Sequence, residues 1–258
     1  MKKTCGRNKY IFLLLIAVCL FIFNSGCGLD VFYLIDAPYT LNNQPNYSST
    51  EFSTRYFSFN TNETSDSNTA LGERFLGTDV YYKIYNSSSQ MYSEVSSIQS
   101  IIKNSTNENS NTAAYKIIDS TSSSYAYQKL RVSDRSDDVF IPATGNNRSI
   151  YIRLSDYLDT YPSAILAGSN DKGSPFFSAK SKPVRSNSYT FNFGRSGAKD
   201  TKPVEGDPDV KFTSGITGSK WYIAMFAVSV ARDETYSYLY SNLLYLGSIT
   251  IDAAEQNN

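Results

Sequence analysis

The sequence predicts a mainly β protein: an antiparallel β-sandwich-like body with a small helical insertion. Three observations carry that reading. Tyr and Phe, with 21 and 15 residues, dominate the aromatic content, and aromatic and β-branched side chains favour strands. Stretches such as "GTDVYYKIYNS" (77–87) alternate with period two, Val80, Tyr82 and Ile84 on one face and Tyr81, Lys83 and Tyr85 on the other. Ser- and Asn-rich segments, which favour turns, separate these stretches.

The chain opens on a basic head with Lys2, Lys3, Arg7 and Lys9 and no acid, followed by residues 11–23 without one polar side chain. A basic head, an apolar stretch of about 7–15 residues and small residues before a cut describe a secretory signal. The run is short of the roughly 20 apolar residues of a spanning helix, which disfavours an uncleaved anchor. Ser25-Gly26-Cys27 then resembles the lipobox of bacterial lipoproteins. The resemblance implies cleavage before Cys27 and acylation of that cysteine. Asn24 stands where the family usually has Leu, and the looser lipoboxes of spirochaete lipoproteins resemble it better. Cysteine usage agrees: Cys5 and Cys19 leave with the signal, so Cys27 is the only mature cysteine. Two or three acyl chains anchor a protein stably, whereas one binds marginally.

Residues 1–26 are thus expected to be a lipoprotein signal peptide and residues 27–258 a single domain. Losing the leader leaves 20 basic and 24 acidic residues, a formal charge of −4. That charge carries no basic footprint for nucleic acid and no polybasic attraction to anionic lipid. The expected membrane partner is therefore reached through the acyl chains on Cys27, at the surface of either membrane of the cell envelope.

Along the mature chain, "LDVFYLIDAP" (29–38) is expected to be a buried strand stopped by Pro38, and "RYFSFN" (55–60) an alternating strand. After "GTDVYYKIYNS", Met91, Val95, Ile98 and Ile102 form one stripe of a 3.6-residue period, with Ser88 or Ser89 as cap. "KNSTNENSNT" (103–112) ends that helix, and "AAYKII" (113–118) suggests a second. Residues 87–123 then read as an accessory insertion over one face or edge of the sandwich, removable without loss of the fold. Strands resume at 125–132, 138–142, 149–156 and 188–194. "KWYIAMFAVSVARD" (220–233), apolar on both faces, is a central strand, "ETYSYLY" (234–240) a connection that begins the return, and "SNLLYLGSITID" (241–252) the return strand. This finish resembles an immunoglobulin-like or fibronectin type III-like sandwich, in which Trp221, Tyr222 and Phe226 would cross the core opposite Tyr82 and Ile84.

The absence of histidine removes the base of a Ser-His-Asp or Cys-His nucleophile and the usual ligands of zinc. No cofactor and no metal site is expected, and no catalytic residue is assigned. "SDRSDD" (133–138) and "EGDPD" (205–209) gather carboxylates, which alone do not supply the six to eight oxygens of Ca²⁺. Ser196 and Lys199 match an S-x-x-K spacing, but Gly197 and the surrounding loop argue against the helix that motif needs. "GITGSK" (215–220) lacks the ending of a phosphate loop and reads as the turn before a strand. The expected function is binding, adhesion or a structural part in the envelope, with a protein or carbohydrate ligand; the alternative is a glycosidase-like hydrolase using a carboxylate pair such as Asp156 and Asp159.

Overall fold

Period-two alternation in 77–87 and an unbroken apolar run in 220–233 demand two strands that bury both faces. A computed structural model describes residues 33–41, 54–105, 125–156, 161–168 and 173–257. Its strands, in chain order, are β1 (Tyr39–Thr40), β2 (Phe57–Asn60), β3 (Phe75–Tyr85), β4 (Gln128–Lys129), β5 (Arg131–Val132), β6 (Ile141–Pro142), β7 (Ser149–Arg153), β8 (Ala164–Ala167), β9 (Ser174–Pro175), β10 (Pro183–Val184), β11 (Val210–Lys211), β12 (Lys220–Arg232), β13 (Tyr238–Tyr240) and β14 (Leu244–Asp252). Among the described residues two α-helices accompany them, α1 (Asp66–Ala70) and α2 (Ser88–Asn104).

One sheet is antiparallel throughout, in the order β1-β2-β7-β8-β9. A second, larger sheet is built on the antiparallel pair β3 and β12, which runs from Tyr222 opposite Tyr85 to Ala231 opposite Phe75 with a register shift between Val230 and Ala231, and β5 and β10 pair apart from both sheets. The far edge of β12 is occupied in series by β14 along its first half and β13 along its last residues. The far edge of β3 is likewise shared by β6, β4 and the parallel β11. At the start of β3, Gly77 holds φ +136, and a Cβ there would run into the Ile141 carbonyl. Only glycine lets β6 come that close.

The two faces of the β3–β12 pair look into different layers. Val80, Tyr82, Ile84, Trp221, Ile223, Met225 and Ala227 pack against Phe57, Phe59, Ile150, Ile152 and Ile165 of the five-stranded sheet, which makes the sandwich core. Tyr81, Tyr85, Ala224, Phe226, Val228 and Val230 point the other way and meet Met91, Val95 and Ile98 of α2. The molecule is therefore mainly β, sheet on sheet, with a helix closing the second face of the larger sheet. Helix α2 starts at Ser87, whose side-chain oxygen accepts from the Gln90 N–H at 3.3 Å, and carries Lys103 in its last turn, where a cation favours the helix dipole.

Several expectations need correction. Ser87 caps α2 in place of Ser88 or Ser89, because the chain is still extended there, at φ −125. Residues 33–38 are not in a ladder; Tyr33 and Ile35 pack with Leu71, Phe75 and Ala231 instead, and pairing begins only at β1. Residues 188–194 form no strand, although Phe191 and Phe193 are fully buried in the sandwich core. Trp221 faces that core, whereas Phe226 faces the helix, and the residues opposite Tyr82 and Ile84 are Met225 and Ile223. Period two across a bilayered strand forbids Trp221 and Phe226 from sharing a face. The proposed second helix at 113–118 lies outside the described residues.

Phe226 tests this layering. Its ring is 0% exposed and meets Tyr127 edge-on at 5.2 Å and Tyr245 at 5.1 Å. Phe226→Ala is expected to lower stability by about 3–5 kcal/mol, read from the midpoint of urea unfolding. A midpoint within error of the parent would place this ring at the surface.

Candidate functional site

Several of the charged side chains that the layers bury are matched to one another. Lys83, forced inward by the alternation of β3, donates to Glu94 of α2 at 2.8 Å and to the Tyr125 carbonyl. The same Glu94 oxygen accepts from the Tyr85 hydroxyl at 2.9 Å, which lies 2.9 Å from the Tyr127 hydroxyl. Burial pushes the Lys83 ammonium below its ordinary value despite Glu94, and pushes the Tyr85 and Tyr127 hydroxyls up. On the sandwich side, Arg185 is 0% exposed. It holds both Asp209 oxygens, at 2.8 and 2.7 Å, and Asp207 at 2.6 Å; Asp209 also accepts from the Tyr82 hydroxyl at 2.6 Å. Burial opposes the guanidinium charge, but the two carboxylates outweigh it and hold its pKa above the ordinary value.

These pairings account for the acidic clusters singled out in the sequence. In "EGDPD", Asp207 and Asp209 serve Arg185. In "SDRSDD", Asp137 pairs with Arg135 at 2.5 Å, Asp138 pairs with Arg232 at 2.9 Å, and Asp134 accepts from Ser181 at 3.0 Å. Among the described residues, no three His, Cys, Asp or Glu side chains gather as a metal site. Ser196 and Lys199 lie in a turn-rich loop, not on a helix.

Asp156 ties distant segments together. It accepts from the Ser163 N–H at 2.6 Å and the Asn192 side-chain amide at 2.8 Å, with Arg195 at 3.4 Å. Burial raises its pKa, but the Ser163 and Asn192 hydrogen bonds and the Arg195 charge outweigh that and hold the carboxyl below its usual range. A glycosidase general acid needs the opposite shift. Asp159 and Cys27 lie outside the described residues.

A cavity stands at the opposite end of the sandwich from the β12–β13 turn. It is a half-open pocket of about 560 Å³, lined by Asn86, Phe212, Ile216, Thr217, Gly218, Ser219, Lys220, Trp221 and Tyr222. "GITGSK" is indeed the turn before a strand, and that strand start supplies the pocket's base. Phe212 and Asn86 are brought to it by tertiary structure: Asn86 exchanges two hydrogen bonds with the Thr213 backbone, at 2.9 and 2.8 Å, which pins the loop to the end of β3. Its volume lies in the range of small-ligand pockets, and its mix of aromatic walls and a few polar groups suits one. Nothing in the sequence signals the pocket, because its walls come from positions 86, 212 and 216–222. A second cleft, about 200 Å³, is lined by residues of 129–140; its charged pair Arg135–Asp137 is already closed.

Fold and pocket together define a class: a mainly β protein with a sandwich-like body and a ligand-sized cavity at one end. Compared with known proteins, the chain matches no family model, no curated protein and no solved structure.

Proposed function

We propose that this is a lipid-anchored protein of a bacterial cell envelope, spirochaete-like in its leader, whose body binds a carbohydrate at the end of the sandwich. Attachment rests on the sequence, on Cys27 after Ser25-Gly26. Binding is carried by one observation, the pocket of Phe212, Trp221 and Tyr222 with Thr217, Ser219 and Lys220 on its turn. Partly apolar walls with hydroxyl and ammonium groups beside them match a sugar ring and its polar edge. The pocket and the turn after Arg232 occupy the two ends of β12, whose 13 residues span about 40 Å. The pocket at the start of β12 supports a binding role.

Trp221 is the single tryptophan and lines the pocket, so its fluorescence reports occupancy directly. Titration with soluble peptidoglycan fragments and chitooligosaccharides is expected to give a saturable change in its emission. Gly218→Phe should abolish that change without unfolding the protein, since a Cβ at Gly218 meets nothing within 4 Å and the position lies on the pocket's rim. No saturable response from folded protein to any of these sugars would overturn the binding reading. The anchor is tested separately: Cys27→Ser is expected to move the protein from the detergent phase to the aqueous phase, and unchanged partitioning would place the anchor elsewhere.

A further inference from the structure

The turn after β12 has an unusual tip. Tyr236 is 78% exposed, and it is held at φ +65, a left-handed conformation that glycine adopts without penalty and tyrosine does not. The turn is not loose. Asp233 accepts at one carboxylate oxygen from the Thr235 N–H at 2.7 Å, the Thr235 hydroxyl at 2.7 Å and the Ser237 N–H at 2.9 Å. Backbone bonds close it from Asp233 N to Ser237 O at 3.0 Å and from Tyr236 N to Asp233 O at 3.1 Å. A rigid turn that spends strain to present a bare aromatic ring points to a contact made by that ring.

The start of the body is fastened to this same turn. The Tyr33 hydroxyl donates to Glu234 at 2.9 Å and accepts from Arg74 at 2.9 Å, and the Arg74 guanidinium lies over the Tyr33 ring at 4.8 Å. Next to Tyr33, Leu34 is 46% exposed. Two exposed apolar side chains, Leu34 and Tyr236, thus flank the Tyr33–Glu234 bond. The charges between them are matched internally, Arg74 to Glu234 at 3.6 Å. Only five residues separate Cys27 from Tyr33, a reach of about 20 Å when fully extended.

We propose that this end of the molecule, with Tyr236 at its tip and Leu34 beside it, rests on the lipid bilayer and inserts the Tyr236 ring at headgroup level. The proposal rests on the lipid-anchor reading: an acylated Cys27 leaves too little chain to hold the Tyr33 end far from the membrane. Tyrosine suits that depth, with an apolar ring and a polar tip. The charge matching at the patch and the acidic mature chain make the fitting surface a zwitterionic one. The β12–β13 turn then faces the membrane and the pocket at the start of β12 faces away from it.

The experiment uses the acylated protein in phosphatidylcholine vesicles. Because the thiol of Cys27 is consumed by acylation, Tyr236→Cys provides a single free thiol for an NBD fluorophore, and Lys220→Cys, exposed at the other end of β12, provides the control. Both positions are exposed, so neither label disturbs the core. The label at 236 is expected to shift to the blue and to lose at least half its emission when the vesicles carry lipid with a nitroxide near the headgroup, while the label at 220 is unaffected. Vesicle-bound protein with equal, unquenched emission at both positions would overturn the orientation and leave the anchor intact. Protein with Cys27 intact that fails to float with the vesicles, or a Cys27→Ser variant that floats as well as the parent, would overturn the anchor and this proposal with it.

Discussion

Replacing α2 by a short Gly/Ser linker is expected to abolish cooperative folding of the body. The helix buries Met91, Val95 and Ile98 against the β3–β12 pair, and each buried side chain of that size is worth about 1.5–3 kcal/mol. Removing it also takes away Glu94, the carboxylate that faces buried Lys83. Breaking such a buried pair costs about 3–5 kcal/mol, because Lys83 keeps the Tyr125 carbonyl but loses its countercharge. Together these losses equal most or all of a domain's total of about 5–15 kcal/mol. Circular dichroism and a urea titration read the outcome: loss of a sigmoidal transition, with precipitation from the bared apolar face. A linker variant with a melt as sharp as the parent's would make the helix the accessory element that the Ser- and Asn-rich surroundings suggest. Glu94→Gln, which keeps the shape and removes only the charge, should cost less than the deletion yet remain clearly measurable.

Arg185→Met is expected to be the most damaging single substitution. Arg185 and Asp209 are both 0% exposed, and Asp209 is bonded to the guanidinium through both oxygens. Methionine fills the stem's space but leaves a buried carboxylate facing the Tyr82 hydroxyl alone, at a cost of about 3–5 kcal/mol. Arg185→Lys should recover little, because an ammonium is a point charge and cannot reproduce the fork across Asp209 and Asp207. Adding Asp209→Asn to Arg185→Met should restore part of the loss, since the uncompensated charge disappears. The double-mutant cycle measures this as a coupling energy of more than about 1 kcal/mol. Additive losses would mean that the two residues act independently, contrary to their geometry.

The long elements were legible in the sequence because their patterns are local. Alternation at 77–87, the stripe Met91–Val95–Ile98 and the two-faced run at 220–233 each follow from one backbone period, and all three appear as β3, α2 and β12. The short strands were harder. Residues 125–132 hold only β4, which shares the β3 edge with β6 and β11 and finds room there for two residues, and β5, which leaves that edge to pair with β10, with Leu130 between them. Residues 188–194 carry a strand's alternation, with Phe191 and Phe193 buried, yet have no ladder beside them. Side-chain periodicity reports which face is buried; it does not report whether a neighbouring backbone is there to pair with.

The sequence by itself determined the β-rich class, the two central strands and the helix. Each is written in a contiguous run whose physics is local. Only the tertiary structure decided that the helix packs into the core, that the acidic loops serve Arg185 and Arg232, and that positions 86, 212 and 216–222 enclose one pocket. Those outcomes depend on residues tens to more than a hundred positions apart. Charge neutralisation and cavity shape are set by distance in space, and no window of sequence records that distance.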